Sequence, residues 1–188
     1  MMKTTTSRFG ALALAVLLSA CGEGRLILNV DILSFMDPGD RNQAYGPILA
    51  GVSGSTESTP FEFNTPGGIG GETLVDSVII TAAADLDNQT GSADVDIEIF
   101  FDTASATLYS GEPAIAVAAT LQPGTVTPVA FSEPVPDAIL GLFNSASVFA
   151  GVRFQYQSND DPLTGPDLQG VAHITQIEAR IVASEAVF

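Results

Sequence analysis

Residues 93–102 read ADVDIEIFFD, and their spacing decides the fold class. Ala93, Val95, Ile97, Ile99 and Phe101 alternate with Asp94, Asp96, Glu98, Phe100 and Asp102, a period of two that fits a strand and not a helix. One face of such a strand is core and the other meets water, as in an antiparallel sheet covered on one side. Further along, VFAGVRFQY repeats the logic, with Val148, Ala150, Val152, Phe154 and Tyr156 inward and Arg153 outward. In HITQIEARI the phase breaks between Ile174 and Ile177, which predicts a bulge around Thr175 and Gln176.

Outward from these segments, short β-rich runs alternate with clusters of Gly, Pro, Asn, Asp and Ser. Strands are expected over 25–35, 47–52, 59–64, 74–87, 92–102, 113–121, 125–131, 147–157 and 171–184. This pattern predicts an all-β antiparallel sandwich, immunoglobulin-like or jelly-roll-like. PDAILGLF, Pro136 to Phe143, is the one helical candidate, because proline suits a first turn, and it is expected to plug one end. GVSGSTESTPFEFNTPGGIGG, residues 51–71, is expected to be a loop in which only FEF is strand-like.

The amino terminus has a different character. Lys3 and Arg8 precede an apolar run from Phe9 to Leu18, and Ser19-Ala20-Cys21 follow. A basic start, a short apolar middle and small residues make a secretory leader. The run falls short of the roughly 20 residues a membrane-spanning helix needs. Leu18-Ser19-Ala20-Cys21 resembles the lipobox of bacterial lipoprotein precursors. The resemblance covers the first two dozen residues only, and no domain family is recognised. It implies that residues 1–20 are removed, that Cys21 receives a diacylglyceryl group, and that residues 21–188 form one domain held at a membrane. Gly22, where an Asp would favour the inner membrane, implies the outer membrane of the cell envelope. Several acyl chains, at roughly 0.8 kcal/mol per buried CH₂, anchor durably.

Cutting before Cys21 also removes the only lysine, leaving four arginines against all 22 acids, a formal charge of −18. A field of that sign repels phosphate backbones and argues against nucleic acid as a partner. Once Cys21 is lipidated no thiol, no lysine and a single histidine, His173, remain, so zinc ligation and most nucleophilic catalysis are unsupported. The expected partners are the membrane, through the lipid, and an unidentified envelope protein.

AADLDNQTGSADVDIE, residues 83–98, reads as a hairpin turning at Asn88 to Gly91. In that register Asp85 faces Asp94, and Asp85, Asp87, Asp94 and Asp96 share the outward face. Opposed like charges are destabilising, and Ca²⁺ bound by these oxygens would remove the cost, so the four are candidate calcium ligands of an adhesion or surface-layer module. A solvated acidic face is the plainer reading of the same residues. The turns from Asp37 and from Asn159 have weaker claims of this kind. Phe100 is the one large apolar residue on the acidic face, and it is expected either to cover a sandwich edge or to touch a partner. A carboxylate-dependent hydrolase is the enzymatic alternative; it requires two acids at a set separation in a cleft. The leading expectation is a non-catalytic domain for binding or envelope assembly.

Overall fold

The computed structural model describes residues 25–65 and 73–185; the leader, Cys21 and the glycine-rich residues 66–72 lie outside the described residues. Ten strands form two antiparallel sheets: β1 (Arg25–Asp31), β2 (Asn42–Ile48), β3 (Ser53–Glu57), β4 (Phe61–Asn64), β5 (Thr73–Thr90), β6 (Ala93–Asp102), β7 (Ile115–Leu121), β8 (Thr125–Pro134), β9 (Ser147–Ser158) and β10 (Leu168–Glu185). In the first sheet the order is β1, β10, β5, β8, with β2 sharing the β1 edge of the long strand β10. The second sheet mirrors it: β3, β9, β6, β7, with β4 sharing the β3 edge of β9.

Counting each shared edge as one position gives eight strands in a jelly roll. The pairings nest: Arg25 lies opposite Ser184, Ser53 opposite Gln157, Ile79 opposite Pro134 and Ala93 opposite Leu121. The chain is thus one long hairpin, tipped by the β6–β7 connection and wrapped so that successive pairs fall in alternate sheets.

Alternation holds where it was clearest. Ala93, Val95, Ile97 and Ile99 of β6, and Val148, Ala150, Val152, Phe154 and Tyr156 of β9, are all buried between the sheets. The β10 register shifts between Ile174 and Gln176, so the expected bulge forms and both Ile174 and Ile177 stay inward. The short helix α1 (Asp137–Leu140) continues as a 3₁₀ turn through Asn144 and inserts fully buried Phe143 against Phe63 and Phe101, plugging one end.

Three expectations fail. Residues 32–35 form a 3₁₀ turn, started by Asp31, whose carboxylate accepts the Ser34 N–H. The second strand begins at Asn42 and not at 47, in a polar stretch without the apolar run that marks a strand. Within the expected loop, Ser53–Glu57 is a strand on the edge of β9, because an edge position asks little of its side chains.

The hairpin is the main correction. β5 runs through Asn88 to Thr90 in the first sheet, and β6 begins at Ala93 in the second, so the chain crosses between sheets at Gly91 and Ser92. Gly91 takes φ +75°, and fully buried Asn88 donates its amide to the Gly91 carbonyl at 2.7 Å. Across the corner the Asp160 carboxylate accepts both the Ser92 N–H (2.6 Å) and its hydroxyl (3.0 Å). These bonds direct the chain out of the β5 ladder.

Phe154 is fully buried, with its ring 6.3 Å from that of Tyr156. Phe154→Ala is expected to cost about 3–5 kcal/mol in denaturant unfolding, through lost transfer energy and the cavity left behind. The protein's three tyrosines also report on the core. Burial pushes the phenols of Tyr45, Tyr109 and Tyr156 above their usual value. A raised phenol stabilises the fold below its unfolded value, near pH 10, and loses that contribution as pH rises toward the folded value. Phenolate absorbance is therefore expected to appear together with alkaline unfolding and not as a separate step near pH 10.

Candidate functional site

The four aspartates diverge. In β5 the buried residues are even-numbered, which turns Asp85 and Asp87 to the outer face of the first sheet, beside His173 and Val171 of β10. In β6, Ala93, Val95 and Ile97 are buried between the sheets and Asp94 and Asp96 are exposed, which turns the two aspartates to the outer face of the second. With two packed sheets between them, about 10 Å apart, the pairs cannot share one cation. Among the described residues, no group of three or more His, Cys, Asp or Glu side chains is placed to hold a metal ion. The turn carboxylates are engaged with their own backbone: Asp37 accepts from the Gly39 N–H, and Asp161 from the N–H groups of Leu163 and Thr164. His173 is joined to Asn42 through Nδ1 at 2.7 Å.

The densest polar arrangement covers the outer face of the second sheet. Registers align Glu57, Arg153 and Glu98 in one row, Ser55, Gln155 and Asp96 in the next, and Ser53, Gln157, Asp94 and Thr120 in a third. Arg153 Nε donates to Glu98 Oε2 at 2.6 Å, and Gln155 Nε2 donates to the same oxygen at 2.9 Å. Glu57 lies 3.7 Å from Arg153 Nη1, which also donates to the Tyr109 carbonyl. The guanidinium sits 4.5 Å over the Phe100 ring, a cation–π contact.

Phe100 therefore does not await a partner. It is 1% exposed, roofed by Arg153 and by the Tyr109 ring 5.3 Å away. Tyr109 comes from the 3₁₀ turn Ser105–Ser110 and donates its hydroxyl to the Ser58 carbonyl at 2.7 Å. Gly151 makes the roof possible, since a side chain there would collide with the Tyr109 ring. Period-two reading locates Phe100 on the outer face correctly; only the fold brings the turn that follows β6 back across it.

Each sheet carries a shallow open groove. One, of about 320 Å³, is lined by Ser53, Gly54, Ser55, Arg153 and Gln155. Another, of about 340 Å³, lies on the first sheet over Asn29, Asp31, Thr81, Glu178 and Arg180. Between the sheets a void of about 10 Å³ beside Ala82, Ala84, Ile97 and Phe154 is no larger than one water. Glu98 and Glu57 both lie against Arg153, with the nearest oxygens at 2.6 Å from Nε and 3.7 Å from Nη1 respectively.

The fold and this site define a jelly-roll domain with open polar outer faces. No family model matches the chain, and no curated protein matches it. Among solved structures it is similar to the infectious bursal disease virus Gx strain structure, with 11% identity and TM-score 0.43 over 88% of this chain and 38% of that one. The infectious bursal disease virus VP2 subviral particle gives 12% identity and TM-score 0.40 over 87% and 38%. Dimeric latent PorU from Porphyromonas gingivalis gives 9% and 0.30, over 87% and 13%. The chain spans less than two fifths of the length of each of these proteins.

Removing Arg153 strands Glu98, which is 8% exposed, and uncovers Phe100. Arg153→Met is expected to cost about 2–3 kcal/mol in denaturant unfolding, and a double-mutant cycle with Glu98→Gln to show coupling well above that of a surface pair.

Proposed function

We propose that this chain is the precursor of a bacterial lipoprotein whose jelly-roll domain is held close to the outer membrane and works by binding or by assembly of the envelope. The observation that carries this reading is the order of leader, Cys21 and domain. β1 begins at Arg25, four residues after the cysteine, a tether of about 14 Å when fully extended. Arg25 pairs with Ser184 at the end of β10, so the anchored end is the one carrying the strand termini. The loops at Gly91 and Asn159 to Asp167 lie at the other end of β10, roughly 55 Å away at about 3.3 Å per residue. Among the described residues no helix is long and apolar enough to cross a membrane.

Binding is favoured over hydrolysis because the buried carboxylate of the outer face is spent on Arg153, and the open grooves offer amides, hydroxyls and single charges. Cys21→Ser is expected to accumulate unprocessed precursor or to release the protein from the membrane fraction, and to abolish fatty-acid labelling. Normal processing with retention at the membrane would overturn the anchoring.

A further inference from the structure

Each sheet ends in strands with unpaired backbone groups on one side, and proteins commonly blunt such edges with charge or proline. Here β1 carries Arg25 and Asp31, β2 carries Pro47, β3 carries Glu57, β4 carries Glu62, and β8 carries Pro128, Glu133 and Pro134. β7 reads IAVAATL and has neither. Its register with β6 is unbroken from Ile115 to Leu121, and among the described residues it pairs with β6 alone. Among the described edge strands it is the one that is regular, uncharged and unpaired on its outer side.

The side chains beside that edge are incompletely covered. Ile115 and Leu121 are buried, whereas Val117 and Ala119 are half-buried, as are Val129 and Phe131 on neighbouring β8. On the outer face Ala116 and Ala118 are small and leave the backbone accessible. We infer that β7 accepts an added β-strand: an extended segment of another protein, apolar at every second residue to meet Val117 and Ala119, and free of acidic side chains given this chain's charge of −16. The unpaired N–H and C=O row sets the ligand class, because an extended polypeptide backbone matches its spacing. A second copy is disfavoured by geometry. Two β7 strands paired antiparallel would point their Arg25 ends in opposite directions, which two copies on one membrane cannot do. That exclusion alone rests on the proposed anchoring.

The test uses the full chain purified in detergent and a phage-displayed library of random linear peptides. Enriched peptides are expected to alternate apolar and other residues, and a synthetic one to slow amide exchange across Ile115–Leu121. Ala119→Lys is expected to weaken it at least about tenfold, with Ala116→Lys on the outer face much milder. N-methylation of the peptide needs no protein variant: methyl groups at one set of alternate residues should abolish binding, and at the other set should leave it. Protection confined to another segment, or equal tolerance of both methylated sets, would overturn the proposal. So would a dimer of the free chain that Ala119→Lys dissolves, since the edge would then belong to a second copy. None of these readouts depends on Cys21, so failure of the anchoring is seen separately, in fractionation.

Discussion

The pairing of β5 with β10 is the interaction on which the rest of the molecule depends. Both strands are 18 residues long, and they pair from Thr73 with Glu185 to Thr90 with Gln169. Their partners, β8 on one side and β1 and β2 on the other, have no sheet to join without them. The contact is distant in sequence, so its loop-closure entropy must be met before most of the core forms, and nested pairings of this type fold slowly for their size. Irregularities along the ladder are placed where the sandwich needs them. The shift at Ile174 to Gln176 restores the inward phase of β10, and the one near Gly170 lies where Tyr45 and the Asp87 carbonyl leave no room for a side chain.

How far the fold was legible in sequence depended on burial. β6 and β9 lie in the middle of the second sheet with one face in the core and the other outward, and their alternation is clear. β3, SGSTE, is held at an edge by backbone bonds, and nothing in its side chains announces it. The acidic hairpin failed for a related reason. Asn88 and Gly91 have the chemistry of a tight turn, and the same chemistry makes a corner between sheets when Asp160, contributed by a loop far along the chain, takes the Ser92 N–H and hydroxyl. Local turn signals state that the chain turns; which sheet it enters afterwards is decided by distant partners.

The outer face of the second sheet shows the same dependence. Arg153 and Glu98 are visible as outward residues, whereas Glu57 falls in the expected loop, and the alignment of all three in one row is a property of register between β3, β9 and β6. Arg153 is the residue through which that face becomes one unit: it neutralises Glu98, reaches Glu57, and with Tyr109 closes over Phe100. Its guanidinium suits the role better than an ammonium, since it donates in several directions from one plane and stacks on an aromatic ring.

The distribution of charge explains how an unguarded β7 is tolerable. Asp94, Asp96 and Glu98 stand one strand away from it, about 4.8 Å, whereas the matching row of a second copy paired through β7 would lie about three strand spacings off. That distance, about 14 Å, exceeds the roughly 8 Å screening length at physiological ionic strength, so adjacent rows by themselves would not prevent self-pairing. The summed field of a chain with net charge −16 opposes every like-charged encounter before strands can align. A neutral or basic extended segment meets no such barrier. Repulsion by net charge in place of local charge disfavours copies more than a partner of different composition, and it weakens as salt rises.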